Sequence, residues 1–165
     1  MSKPKKSWKE KLQDDKDLPR VITMDGKLSK QWGEGTCVIP APREVDELMR
    51  KVRRGQLTTI NAIRKALAAR HGATIACPIT TGIFARIAAE AAAEEKAQGK
   101  KRVTPYWRTL KGDGELNPKY PSGCEAQKAR LEEEGHTVTQ KGRKFIVEEV
   151  DKHLARIKRP DGADS

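Results

Sequence analysis

The sequence has few cysteines, few aromatic residues and no long apolar segment. Its three cysteines, Cys37, Cys77 and Cys124, are far apart and form no CxxC pair, which argues against both a disulfide framework and a zinc site. No stretch approaches the roughly 20 apolar residues that span a bilayer, and no apolar run follows the basic N-terminus as in a secretory signal. We expect a cytoplasmic protein, nucleoid-associated if bacterial, with reduced thiols and no metal, cofactor or membrane partner.

Acidic residues are outnumbered by basic ones. The 165 residues include 34 Lys and Arg against 23 Asp and Glu, a net charge of +11. This excess favours a polyanion such as DNA or RNA, because each neutralised phosphate releases counterions. The alternatives are a basic protein with no nucleic-acid role and a protein that binds a membrane surface. Hydrophobic residues make up 36% and aromatic residues 4%, enough for one modest core with attached tails.

The local patterns divide the chain into four segments. Residues 1–43 form a basic extension that packs on the core, with a short helix over 8–13 capped by Ser7 and an extended, loop-rich stretch over 21–43. Residues 44–137 form the main domain. Residues 138–158 add a hairpin around 141–143 and a terminal helix that includes Val150 and Ile157. Residues 159–165 are a loose tail.

Three helices are predicted in the first half of the main domain. The first has apolar residues at i, i+3, i+4 and i+7 from Val45 and ends at Gly55. Thr59 is a good N-cap for the second, which stops near Gly72. The third runs from Gly82 to Ala97 after a capping signal at Thr80 and Thr81, and ends at Gly99.

The third helix has one apolar stripe and one side of small residues. The stripe, expected to be buried, comprises Ile83, Phe84, Ile87, Ala88 and Ala91. The small side comprises Gly82, Ala85, Ala89, Ala92 and Ala93. Alanine richness reflects either helix propensity or a slim helix that enters a narrow groove. A loop over 111–123, rich in Gly, Pro and Asn, follows as a wing or lid, and a polar helix follows over 125–134. This order predicts an α/β, mostly helical fold with a winged helix-turn-helix core and a small β-hairpin.

Five short motifs occur in one order over residues 45–137. They are Arg54-Gly55-Gln56-Leu57-Thr58-Thr59, Ala85-Arg86-Ile87-Ala88, Pro105-Tyr106-Trp107-Arg108, Tyr120-Pro121-Ser122-Gly123 and Glu134-Gly135-His136. In order and approximate spacing they resemble motifs of the O6-alkylguanine-DNA alkyltransferases. That resemblance implies a helix-turn-helix docked in the minor groove of double-stranded DNA, and an arginine finger, here Arg86, that replaces an extruded nucleotide. Separately, we expect the protein to be a monomer.

The resemblance and the basic runs together predict two sets of site residues. DNA contacts are expected from Thr58, Thr59, Ala85, Arg86, Ala89, Lys100, Lys101, Arg102 and Arg108. A base pocket is expected from Tyr106, Trp107, Tyr120, Ser122 and Gly123.

The chain departs from the family at the reactive positions. Tyr106 occupies the cysteine position, Trp107 the histidine position and Glu134 the glutamate position. A phenol with a pKa near 10 is a poor substitute for a thiolate, and indole has no basic nitrogen to activate it. Ile60 stands where the family often has a tyrosine that helps to rotate the nucleotide. No catalytic residue is therefore expected. The chain looks like an alkyltransferase-like protein, which binds alkylated bases without repairing them.

Several alternatives stay open at this point. The protein is either a non-catalytic binder of duplex DNA with alkylated or extruded bases, an alkyltransferase that uses Cys124 or Cys77, or a protein-interaction module on the same fold. Arg86 either enters the duplex or pairs with Glu90 four residues later. Tyr106 and Trp107 either stack a base or fold inward and close the pocket.

Overall fold

The structure, a computed structural model, describes residues 6–15 and 17–155. Its helices are α1 Trp8–Gln13, α2 Gly26–Trp32, α3 Pro42–Arg50, α4 Ile60–His71, α5 Pro78–Ala97, α6 Gly123–Glu133 and α7 Val150–His153. Its strands are β1 Arg20–Met24, β2 Gly35–Ile39, β3 Thr58–Thr59, β4 Ile75–Ala76, β5 Thr109–Leu110, β6 Val138–Lys141 and β7 Lys144–Val147. The prediction of a mostly helical α/β fold with a small hairpin is confirmed.

The segment predicted to be loop-rich over 21–43 is more regular than expected. Strands β1 and β2 pair antiparallel around α2, and β2 pairs parallel with β4. The register places Val21 opposite Val38 and Ile22 opposite Cys37, so the two short apolar runs meet across the sheet. These two pairs lie 17 and 15 residues apart in sequence, and local turn signals do not reveal them.

Helix α4 begins and ends where its sequence predicts. The Thr59 hydroxyl accepts a hydrogen bond from the Ala62 amide at 3.1 Å, and Gly72 ends the helix in the left-handed conformation with φ 63°. Just before the helix, β3 pairs parallel with β5, with Thr58 opposite Thr109. This pairing fixes the segment after Tyr106 against the entrance of α4.

Helix α5 begins at Pro78, four residues before the predicted start. Proline suits the first helical position because its missing N–H would be unsatisfied there in any case. Thr80 and Thr81 are therefore not caps. Instead, the Thr81 hydroxyl donates to the Cys77 carbonyl at 2.6 Å inside the first turn.

The predicted faces of α5 are wrong in part. Ile83 is 51% exposed, whereas Ala85 and Ala89 are fully buried. Helix α5 lies at the centre of the molecule and contacts α1, α3, α4 and the 3-10 turn Tyr106–Arg108. Its small side chains allow these elements to pack closely. The alanines therefore serve close packing inside the protein and not entry into a groove.

The C-terminal part confirms the hairpin and shortens the last helix. Strands β6 and β7 pair antiparallel around Gly142 and Arg143, and residues 111–117 pack on them through buried Leu116. Helix α7 spans four residues, and Leu154 then forms a parallel bridge with Leu57. Ile157 and the predicted loose tail lie outside the described residues. Within the described ranges, no helix combines the length and apolar character needed to cross a membrane.

Candidate nucleic-acid interface

One strip of α5 remains exposed beside a cleft of about 650 Å³. Ile79, Ile83 and Arg86 lie three or four residues apart and so share a helix face, and all three line the cleft together with Gly82 and Ile87. Ile79 is 59% exposed. The other walls are α1 and the loop after β5, which contribute Trp8, Lys11, Lys111, Asn117, Pro118 and Lys119.

Helix α1 is held firmly against α5. The Ser7 hydroxyl accepts from the Glu10 amide at 3.1 Å, which confirms the predicted N-cap. The backbone N–H groups of Trp8 and Lys9 donate to the Glu94 carboxylate at 3.1 and 3.3 Å, which satisfies two donors that the short helix leaves free. Leu12 is buried in the main core. Helix α1 is thus a fixed wall of the cleft.

The cleft carries positive charge. Four cationic side chains line it: Lys11, Arg86, Lys111 and Lys119. The described lining residues include no acidic one. The Lys11 ammonium lies 4.2 Å and the Arg86 guanidinium carbon 5.7 Å from the centre of the Trp8 ring. In the described part of the chain, Arg86 makes no ion pair with Glu90, so the predicted alternative role for Arg86 is not adopted.

The predicted base pocket is filled by its own aromatic rings. The Tyr106 ring meets Trp107 edge to face at 5.4 Å and Tyr120 at 5.7 Å between centroids. Trp107 is 9% exposed and Tyr120 3%. Burial raises the pKa of the Tyr106 phenol and that of the Tyr120 phenol, so both stay neutral at pH 7. The arrangement matches the inward-folded alternative.

Glu134 organises the interior beside these rings. Its carboxylate accepts from the Trp107 indole N–H at 2.9 Å and from Nε and Nη2 of Arg108 at 2.8 Å each. Burial acts to raise the pKa of Glu134, but the hydrogen bonds from Arg108 and Trp107 and the charges of Arg108 and Arg54 outweigh it and hold the pKa below its ordinary value. Trp107 is therefore a structural donor to the glutamate.

Five predicted DNA contacts point into the protein. Ala85 and Ala89 are buried under neighbouring helices, and Thr58 is buried in the β3–β5 pair. Thr59 is buried as the α4 cap. Arg108 is committed to Glu134 and to the Val52 carbonyl, which accepts from Nη1 at 2.8 Å. The structure therefore presents none of these five side chains on an open surface, and their contact with DNA stays a prediction.

The remaining predicted residues lie on the surface but not in the cleft. Lys100, Lys101 and Arg102 are exposed beyond the end of α5, and Lys100 pairs with Glu95 at 3.3 Å. Ser122 is exposed and Gly123 half-buried at the start of α6. The DNA contacts of the three basic residues and the base-pocket role of Ser122 and Gly123 stay predictions.

None of the thiols is arranged as a nucleophile. Cys37 and Cys77 are buried, and Cys124 is half-buried. Burial and the nearby carboxylates of Glu115 and Glu125 raise the pKa of Cys124, which keeps it in the unreactive thiol form. Among the described residues, no group of three His, Cys, Asp or Glu side chains is placed to hold a metal ion.

Sequence reasoning missed most of the residues that line the cleft. Trp8 and Lys11 fall in the arm, and Lys111 and Lys119 in the loop, on either side of α5. The available signal was an aromatic residue set among lysines over 5–11, a composition typical of nucleic-acid contacts. The pattern does not reveal that this segment docks beside Arg86.

No protein-family model matches this chain, and no curated protein matches it. Its structure is similar to that of S. pombe Atl1 in complex with damaged DNA containing O6-carboxymethylguanine. The TM-score is 0.49 and the identity 19%, covering 70% of this chain and 94% of that chain. It is also similar to S. pombe ATL in complex with DNA, with a TM-score of 0.45, 17% identity and the same coverage.

Proposed function

We propose that this protein binds duplex DNA without changing it chemically and recognises bases that are alkylated or extruded. The observation that carries the proposal is the cleft beside Arg86, which is lined by four cationic side chains and, among the described lining residues, by no acidic one. Cations on a concave surface attract the phosphate backbone and gain affinity by counterion release. Exposed isoleucines on the same helix offer contact to apolar base faces.

The chemistry of the interior supports a non-catalytic role. An alkyl transfer needs an activated nucleophile. Tyr106 is a phenol whose pKa is raised by burial, and Trp107 donates its indole N–H to Glu134. Cys124 is held as a thiol. The alkyltransferase alternative therefore has no described group that supports it.

Fluorescence anisotropy with a labelled DNA duplex tests the proposal. We expect affinity to fall steeply as salt rises, and the double variant Lys111→Ala/Lys119→Ala to reduce the slope by about 1 for each lysine that no longer neutralises a phosphate. The matched control is Lys27→Ala/Lys30→Ala, which removes two exposed lysines of α2 outside the cleft. No binding at low salt, or an affinity that does not change with salt, would overturn the proposal.

A further inference from the structure

We propose that the cleft between α1, α5 and the 111–119 loop holds one unpaired nucleotide of the bound DNA, with Trp8 as the residue that stacks on its base. This inference rests on the proposed DNA-binding function and assigns the place of the extruded nucleotide. It moves that place from the Tyr106 region, where the sequence predicted it, to the cleft beside Arg86.

The Tyr106 region has little room for a base. Tyr106, Trp107 and Tyr120 pack edge to face on one another, and the last two are almost fully buried. Among the described residues that line the cleft, none of these three rings is present. A base that enters this region must separate two buried ring contacts, whereas the cleft is already open.

The cleft has the size and the lining that a nucleotide needs. Its volume of about 650 Å³ lies within the range of small-molecule sites, which are mostly apolar with a few polar groups that fix orientation. Ile79 and Ile83 expose more than half of their surface there. Contact with isoleucine does not stabilise a phosphate, but it does stabilise the flat apolar face of a base.

Trp8 is set in place before any ligand arrives. The Glu94 carboxylate, the buried Leu12 and the side of the Trp8 ring that packs on the main core hold α1 in place. The ring is only partly buried and lines the cleft, so its remaining surface can act as a stacking surface. Such platforms are the usual means of holding an unpaired base, since every base has a π-face.

The cations around Trp8 fit the charged part of the same ligand. Lys11 lies over the indole ring through a cation–π contact, which is weak at an exposed site. An entering base displaces this flexible ammonium, which then pairs with the adjacent phosphate. Lys111 and Lys119 line the opposite wall. Lys111 pairs with Glu115 at 3.6 Å, a weak surface ion pair that a flanking phosphate can replace.

Two duplexes test the assignment: one with a single-nucleotide bulge and one that is fully paired but otherwise identical. We expect the wild type to bind the bulged duplex more tightly. Trp8→Leu should weaken that binding about tenfold, in the range of one base–aromatic stack, with about a twofold weakening on the paired duplex. Trp8→Phe should retain most of the preference. Trp32→Leu, a tryptophan outside the cleft, is the matched control and should keep the preference.

The outcomes separate this inference from the proposed function. The nucleotide assignment is wrong, and DNA binding stands, if the wild type binds the paired duplex in a salt-sensitive way but shows no preference for the bulged duplex. The same conclusion holds if Trp8→Leu weakens binding to the two duplexes equally. If the wild type binds neither duplex, both fail. If Trp8→Leu does not fold, Ile83→Ser serves in its place, because Ile83 is exposed on the cleft wall. We expect Ile83→Ser to weaken binding to the bulged duplex selectively. An acidic peptide that competes better than the bulged duplex would also overturn the assignment.

Discussion

Replacing Glu134 by alanine removes the acceptor on which two buried donors depend. In the wild type this carboxylate receives three hydrogen bonds of 2.8–2.9 Å from Arg108 and Trp107. The side chains of Glu134 and Arg108 are 4% and 13% exposed, so water cannot replace the missing partner easily. After the substitution, the Val52 carbonyl is the remaining described acceptor for the Arg108 guanidinium. The Trp107 indole N–H then has no described acceptor.

The expected decrease in folding stability follows from this geometry. Removing one partner of a buried, hydrogen-bonded ion pair costs about 3–5 kcal/mol, mostly because a charge is left buried without compensation. Replacing both partners by apolar side chains of similar volume avoids that charge. The double variant Glu134→Leu/Arg108→Met should therefore be more stable than Glu134→Ala.

Urea unfolding followed by circular dichroism at pH 7 measures these differences. The control is Glu132→Ala, which removes an exposed glutamate of α6 two residues away and should change stability by less than about 0.5 kcal/mol. A decrease below about 1 kcal/mol for Glu134→Ala, or a double variant less stable than the single one, would refute the reasoning. DNA affinity of the folded double variant should match the wild type, since Arg108 faces Glu134 and not DNA.

Three further results are expected. The stability difference between wild type and Glu134→Gln should shrink as the pH falls from about 5 toward 2. The reason is that the folded-state pKa of the Glu134 carboxyl is lowered, so its stabilisation is complete above the unfolded-state pKa of about 4.3 and is lost when the carboxylate is protonated. Urea midpoints of the two proteins that stay equally far apart would contradict this. Arg86→Ala should weaken DNA binding by about 1–3 kcal/mol and abolish any fluorescence rise from a 2-aminopurine duplex, whereas Arg20→Ala, exposed on β1 outside the cleft, should not; equal anisotropy curves would place Arg86 outside the interface. Intact-mass measurement after incubation with O6-methylguanine DNA should show no gain of a methyl group, and a stoichiometric adduct on Cys124 would restore the enzyme alternative.

The sequence predicts local structure well where one residue decides it. Thr59 and Gly72 delimit α4 because capping depends on chemistry within four residues. The faces of α5 are not predictable in the same way. Its isoleucines carry more apolar area than its alanines, yet Ile83 is exposed and Ala85 buried, because three helices approach α5 from different sides and leave room only for small side chains.

The candidate site shows the same division. Arg86 is singled out in the sequence by the motif Ala85-Arg86-Ile87-Ala88, whereas the exposure of Ile83 beside it is not predicted. The inward packing of Tyr106 and Trp107 is one of the two arrangements that the sequence allows. Trp8 and the lysines of the 111–119 loop lie about 80 and 30 residues from Arg86 in sequence. No local pattern joins them. Trp8 lies beside Arg86 because the Glu94 carboxylate fixes α1, and residues 111–117 are held by the β6–β7 hairpin.

Backbone amide chemical shifts of nitrogen-15-labelled protein, recorded during titration with duplex DNA, test the central claim most directly. The account predicts the largest changes at residues 8–11, along 78–90 of α5 and over 111–119, with small changes in β1, α2 and the β6–β7 hairpin. Changes concentrated on the hairpin or on α2, with the face around Arg86 unaffected, would contradict it.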